Sequence, residues 1–470
     1  MTDLARLGIA ELGDLIAKGE ASPVEVMQST LARIDRLDGG LNAFLSIYPD
    51  QALAAAAKAE KELANGQSRG PLHGVPLGIK DLFEVEGMTR TCGSNLIQEP
   101  PAEKDATSVA RLKDAGAIVV GLLNLNEFAY GPTGINIHKG SARNPWDRSK
   151  TCGGSSAGAG CAVAAELVPG AMGTDTGGSI RIPASVCGVV GLKQTFGLAS
   201  RHGIYPLCDS FDHGGPLTRT VRDAALMLQA FAGEDLHDFT TRGARTDNYS
   251  ARLGQSIKGL KVGVPTSFFF DDVHADTVAA VRAAIQVFSD LGADVQEVDV
   301  PFGQDAVDSW NTMAMAEAFV VHEDHMATNK YDLAPDVSSR LELGRNISAR
   351  DYLASREHQT RVKQEMQAFM ADYDVLAMPT SPIPAISIET GTANLNGREV
   401  DGAPIMGRLT RMAVFTGQPA ISVPCGFTNE GLPIGLQLMG HWFDEAALLG
   451  AADAYEQATS WHTMVPPEIN

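Results

Sequence analysis

Several features that would mark a special class of protein are scarce or missing from this chain. Its 470 residues include six cysteines, Cys92, Cys152, Cys161, Cys187, Cys208 and Cys425, with no C-x-x-C pair among them. That density is too low for a disulfide scaffold, so reduced and mostly buried thiols are expected. Cations are in the minority, 37 Lys and Arg against 57 Asp and Glu, giving a formal net charge of −20. A surface this short of clustered basic residues does not grip nucleic acid or an anionic membrane. The acids are spread along the chain, which marks a solvated surface rather than an acidic tail. No stretch approaches the roughly eighteen uninterrupted apolar residues of a membrane span, and MTDLARLGIAEL lacks the basic and apolar regions of a signal peptide. A cytoplasmic protein is expected. Walker and dinucleotide fingerprints are absent, as are internal repeats and low-complexity tracts. His322 and His325 have no third ligand at a recognisable spacing, so they read as an exposed helix face and not a metal site.

What is present is the alternation of an α/β protein, long enough for one large domain or two or three ordinary ones. Ser22, Pro23 and Glu25 form a helix-entry signature, followed by Val24, Met27, Leu31 and Ile34 at helical spacing. Residues 50–64 read as a second, more exposed helix. In 108–123 a helix ends near Gly116 and a buried strand follows, as in a parallel sheet. The same unit recurs around 276–300, preceded by the short strand GLKVGVP. AISVPCG and GLPIGLQLMG are two further strands, 444–459 is a final helix, and the Pro- and Gly-rich stretch 379–404 reads as a long loop.

Residues 150–185, KTCGGSSAGAGCAVAAELVPGAMGTDTGGSIRIPAS, are the chemically suggestive stretch. Ser155 in GGSS and Ser179 in TGGS are both flanked by glycines, which let the backbone approach a reacting atom and turn its N–H groups toward it. An ordinary glycine-rich turn is the plainer alternative. Gly154, Ser156 and Gly158 also spell G-x-S-x-G, but that pattern has mechanical meaning only between a buried strand and a helix, and SARNPWDRSKTC reads as polar and strandless. Upstream, Lys80 is bracketed by Val75, Leu77, Ile79 and Leu82. A lysine there either points to solvent from an edge strand or is desolvated enough to act as a base. A serine hydroxyl needs such a base, and no histidine sits in a suitable motif. Holding lysine neutral at pH 7 requires about 4 to 5 kcal/mol, within the range known for buried lysines.

Taken together, GGSSAGAGCAVAAELVPGAMGTDTGGSIRIPASVCGVVGLKQTFG, HGVPLGIKDLF, FDHGGPLTRTVRDAA, PTSPIPA and TGQPAISVPCGF with GLPIGLQLMG resemble the amidase signature family. The resemblance covers most of the chain, weakening over about 235–370. It implies one domain over 1–470, with a signature core at about 65–230 and the stretch from about 371 to 470 completing it. The implied fold is a large twisted mixed, mostly parallel sheet covered by helices on both faces. Carried over position by position, it implies Ser179 as acyl nucleophile, Ser155 on a cis peptide bond as bridging serine, and Lys80 as base. The backbone N–H groups of Thr176, Gly177, Gly178 and Ser179 would form the oxyanion hole. Asp175 and Arg181 are read as structural partners near the site, a surface ion pair being the plainer account.

The implied reaction is two-step acyl transfer on an amide, needing neither metal nor organic cofactor. Asn126 to Thr133 is expected to line the pocket, with Phe128, Tyr130, Gly131 and Thr133 as substrate contacts; the two aromatics would otherwise be core. The family includes the glutamine-hydrolysing component of glutamyl-tRNA amidotransferase, and Arg361 falls near the arginine which that component uses on glutamine. Its acidic residue before the GxPA motif corresponds to the region of Gly407. Leu122 and Leu123, Gln194, and the run TRMAVFTGQPA are further departures. The expected function is therefore a stand-alone hydrolase of a small-molecule amide, with a homodimer compatible. The alternatives are the glutaminase component of the amidotransferase, a hydrolase of carboxylated ureas such as allophanate or carboxybiuret, and a non-catalytic assembly subunit.

Overall fold

The computed structural model describes residues 4–469. Eleven strands form one sheet: β1 (Phe44–Ile47), β2 (Pro76–Lys80), β3 (Ile118–Leu123), β4 (Gly170–Thr174), β5 (Val190–Lys193), β6 (Gly214–Thr218), β7 (Lys261–Pro265), β8 (Asp294–Val298), β9 (Val375–Pro379), β10 (Ala420–Phe427) and β11 (Pro433–Met439). Their spatial order is β1-β3-β2-β4-β6-β5-β10-β11-β9-β7-β8. Two parallel blocks, β3-β2-β4 and β9-β7-β8, are joined through antiparallel pairings, and β1 adds to one edge in antiparallel sense.

The strands of the first block are buried along their whole length, as expected for a parallel sheet covered on both faces. Alternation decides which face each residue serves: Val119 packs into one apolar cluster and its neighbour Val120 into another. Helix placement follows the sequence signals. Pro23–Leu37 begins at a capping box in which the Glu25 N–H donates to Ser22 Oγ (3.1 Å) and the Ser22 N–H to Glu25 Oε2 (3.0 Å). The 50–64 expectation corresponds to Pro49–Ala64, and 444–459 to Glu445–Gln457.

Three local readings change. The stretch 379–404 holds a hairpin, Thr392–Leu395 paired with Arg398–Asp401. Its turn places Asn396 at φ 53° and Gly397 at φ 89°, the conformation an Asn-Gly pair favours. The polar run before GGSS does contain a strand, Asp147–Thr151, which pairs with Arg143–Asn144 and bridges to Ser387, outside the main sheet. The G-x-S-x-G residues thus follow a two-stranded ribbon and not a strand of the main sheet. His322 is fully buried rather than exposed, because the end of the Gln304–Val321 helix packs its ring against Phe128, with centroids 4.5 Å apart. Burial, aided by His325, pushes His322 down to about 3. Among the described residues no helix is long and apolar enough to cross a membrane, and no three side chains are grouped to hold a metal ion. All six cysteines are free and buried.

One buried acid couples the fold to pH. Glu456 accepts the Val221 N–H (3.0 Å to Oε2), and burial raises its carboxyl from 4.5 to about 8. The folded chain therefore keeps this proton over a range where the unfolded chain has released it, so the contribution to stability is present below about 4.5 and is lost as pH rises toward and past 8. Glu456→Gln should raise the melting temperature relative to wild type more at pH 8.5 than at pH 5; an equal difference at both values would refute the coupling.

Candidate active site

The site lies at the carboxyl ends of β2 and β4, where open α/β sheets commonly place their ligands. Parallel pairing of the two strands sets Ile79 beside Met172, which carries the next side chains toward the same point. Lys80 ends β2 fully buried, in the interior of the sheet and not at its edge. Its Nζ lies 2.8 Å from Ser155 Oγ, 3.0 Å from Ser156 Oγ and 2.7 Å from Thr174 Oγ1. Burial drives the lysine well below its usual pKa, opposed by the charges of Asp175 and Asp212. A neutral amine donates two hydrogens and accepts one. Ser156 Oγ is within reach of the Thr174 carbonyl at 3.2 Å, so its own proton has a destination and it can accept from Lys80. With Thr174 Oγ1 as second acceptor, Ser155 is left to donate to the nitrogen lone pair.

The GGSS turn precedes the Ala157–Ala164 helix, and the Gly154–Ser155 peptide bond is cis. A Cβ on Gly154 would strike Asn126 Oδ1, so only glycine fits there. Ser155 is fully buried, whereas Ser179 keeps 9% exposure and faces the cavity described below. The two loops are tied by the Ser156 N–H, which donates to the Ser179 carbonyl at 3.2 Å.

The TGGS loop is built around a carboxylate. Asp175 accepts the Gly178 N–H (2.7 Å) and the Ile180 N–H (3.2 Å), and pairs with both Arg181 Nε (3.0 Å) and Nη2 (2.9 Å). Both side chains are 0% exposed, so this is an interior ion pair and not a surface one. Burial alone would raise Asp175, but the Arg181 charge and hydrogen bonds outweigh it and hold the carboxyl at about 2. Arg181 also donates to the Thr410 carbonyl (2.9 Å) and Gln437 Oε1 (2.6 Å), anchoring the loop to β11. Gly178 sits at φ 124°, where a side chain would also collide with Thr410. Its N–H is committed to Asp175, which narrows the expected set of oxyanion donors. The N–H groups of Thr176, Gly177 and Ser179 have no hydrogen-bond partner among the described residues.

Ser179 opens into a cavity of about 470 Å³. Of the expected contacts, Tyr130 and Gly131 line it, but Phe128 and Thr133 do not. Phe128 is fully buried against Tyr205 and His322, and Thr133 Oγ1 is occupied inside the loop by Asn126 Nδ2 at 3.2 Å. Arg361 is on the surface beside Glu357 (3.4 Å) and takes no part in the cavity. Residues not anticipated form the opposite wall: Trp310, Met315 and Arg340 from the less similar middle of the chain, and Arg411 from TRMAVFTGQPA. Ser156 and Thr174 were also missed. The only sequence signals for them were the second serine of GGSS and a threonine five residues before Ser179.

Residues 25–449 match the family model described as Amidase. The A component of the glutamyl-tRNA(Gln) amidotransferase from Geobacter sp. (strain M21) is 38% identical over 491 residues, covering 98% of this chain and 99% of that protein. A chain from a vestigial protein complex that reveals the evolutionary origins of an s-triazine catabolic enzyme is 37% identical with a TM-score of 0.91, covering 96% of this chain and 98% of its own. Native peptide amidase from Stenotrophomonas maltophilia is 32% identical with a TM-score of 0.88, covering 99% of each. The chain belongs to the amidase signature family, hydrolases that cleave carbon–nitrogen bonds of amides through a Lys–Ser–Ser triad and an acyl-enzyme.

Proposed function

We propose that this chain hydrolyses a small carboxamide on its own, with Ser179 as nucleophile, Ser155 as proton relay and Lys80 as base. The contact of Lys80 Nζ with Ser155 Oγ at 2.8 Å, in a site that favours the neutral amine, carries this reading. Ser179 Oγ attacks the amide carbonyl while its proton passes to Ser155 Oγ, whose own proton moves to Lys80 Nζ. Charge developing on the carbonyl oxygen meets the free N–H groups of Thr176, Gly177 and Ser179, each such donor being worth about 2.7 to 4 kcal/mol. The relay returns the proton to nitrogen as the C–N bond breaks and ammonia leaves. Water then attacks the acyl-enzyme, gives its proton to the same relay, and releases the acid with Ser179 restored.

A second reading is the glutaminase component of a tRNA-dependent amidotransferase, and the whole-length curated relatives favour it over the stand-alone hydrolase. Against it stands Gly407, on the cavity wall where the resemblance places an acid to read an α-amino group. Arg361, the arginine expected to meet glutamine, lies outside the cavity.

Purified chain, given a panel of primary carboxamides with ammonia release as readout, should be active alone; activity only on glutamine and only with added partner subunits would establish the second reading. Ser179→Ala should lower kcat/KM by at least about 10³-fold, and retained turnover would overturn the mechanism. Because Lys80 works only when unprotonated, kcat/KM should rise with pH along a limb well below 10.5 and then level off. Lys80→Arg, permanently charged, should remove both the activity and the limb; a limb that survives it belongs to another group.

A further inference from the structure

The cavity beside Ser179 offers more hydrogen-bond donors than its own residues use. Tyr130 Oη, Trp310 Nε1 and Arg411 Nε are buried there without a partner among the described residues. Indole and guanidinium nitrogens can only donate, so two of the three need an acceptor from elsewhere. Arg411 lies 4.6 Å from the centre of the Trp310 ring; the charge of Asp308 acts on it, but no carboxylate is within ion-pair distance among the described residues. Arg340, its cationic neighbour, stacks 5.6 Å from the Tyr130 ring centre, donates to the Tyr130 carbonyl at 2.7 Å and pairs on its exposed side with Asp336 at 3.4 Å. Burial, together with the charge of Arg340, presses Arg411 down to about 10. Among the described residues, Asp401 is the single carboxylate on the cavity wall, and it already accepts the Ala403 N–H at 2.9 Å.

A half-buried cation whose Nε is sealed from water without an acceptor is costly unless an anion joins it. We propose that Arg411 and Trp310 Nε1 bind a carboxylate of the substrate, so that this protein acts on amides that also carry an acid group and no ammonium group. The inference rests on the reading of Ser179 as the attacking residue. Ser179 shares the same cavity of about 470 Å³, so amide and carboxylate belong to one small molecule, such as a monoamide of a short dicarboxylic acid. Tyr130 Oη supplies a third donor, and the two guanidiniums repel an ammonium. The Gly407 position, with no side chain, offers no acid to offset that repulsion.

Calorimetric titration of Ser179→Ala protein separates recognition from chemistry. Succinamate or glutaramate should bind at least about tenfold more tightly than butyramide or pentanamide, as expected for a charge-assisted contact. L-Glutamine, which is glutaramate with an added ammonium, should bind more weakly than glutaramate. Adding Arg411→Met should cost the better monoamide about tenfold or more, with a several-fold loss for Trp310→Phe and part of the affinity kept by Arg411→Lys. Melting curves check that each variant is folded. Equal binding of the acid and neutral amides, or no effect of Arg411→Met in folded protein, would overturn the inference, and glutamine binding more tightly than glutaramate would replace it with a reader of zwitterions. Should the monoamides bind as expected while Ser179→Ala protein hydrolyses them as fast as wild type, the mechanism fails and the anion site stands.

Discussion

An amine buried among hydroxyls is the constraint on which this molecule turns. Lys80 sits at the end of an interior strand, its Nζ bonded among the described residues to Ser155, Ser156 and Thr174 alone. Hydroxyls differ from carboxylates in being able to donate as well as accept, so they satisfy a neutral amine without stabilising its protonated form by a direct ion pair. The opposing charges that act on it most are those of Asp175 and Asp212, and neither forms an ion pair with Lys80. Both are engaged elsewhere, Asp175 by Arg181 and Asp212 by Thr176 Oγ1 at 2.6 Å. Burial thereby favours the neutral form of this amine, at the cost of desolvation, and its hydrogen bonds fix the positions of the hydroxyls around it.

The same separation of charge runs deeper into the sheet. Behind Asp175, His213 Nδ1 lies 3.1 Å from the Asp175 carbonyl, and its Nε2 is 3.3 Å from Lys193 Nζ. Burial drives both His213 and Lys193 toward their neutral forms. The Arg181–Asp175 pair is a buried ion pair beside groups that burial shifts toward their neutral forms, and its guanidinium reaches β11 through Gln437. Breaking one side of such a pair commonly costs about 3 to 5 kcal/mol, because the remaining charge stays buried. The geometry of the TGGS loop and its unpaired N–H groups therefore depends on contacts made across the middle of the sheet.

Much of this was legible in the sequence, and what was not had physical reasons. Helix starts such as Ser22–Pro23–Glu25 and the parallel unit ending at β3 are local signals, and they hold. The Lys80–Ser155 contact followed from motif resemblance, not from any spacing within the chain. Ser156 and Thr174 escaped because their role depends on the register of β2 against β4, which no local pattern encodes. Arg181 looked like a surface partner because an arginine beside an aspartate gives no hint of depth; its burial comes from β11, more than two hundred residues later. Phe128, in the stretch Asn126–Thr133, reads as either a contact or core, and the structure buries it in the core with its backbone at φ 51°. Arg340 and Trp310 sit in the stretch where the resemblance fades, and tertiary packing alone brings them opposite Ser179.

That division between walls bears on what similarity can say about this protein. The wall that carries the chemistry comes from the signature segment and β2, where the sequence matches the family most closely. The facing wall comes from the Gln304–Val321 and Pro335–Arg345 helices and from Arg411, outside the signature segment. Identity near 38% over the whole length is consequently strong evidence for the reaction and weak evidence for the substrate. Discrimination among amides is set by which donors and charges remain unpaired on the second wall, because a site built to satisfy a polar group rejects ligands that leave it empty. Arg411 and Trp310 Nε1 are such groups, and they face Ser179 from outside the signature segment.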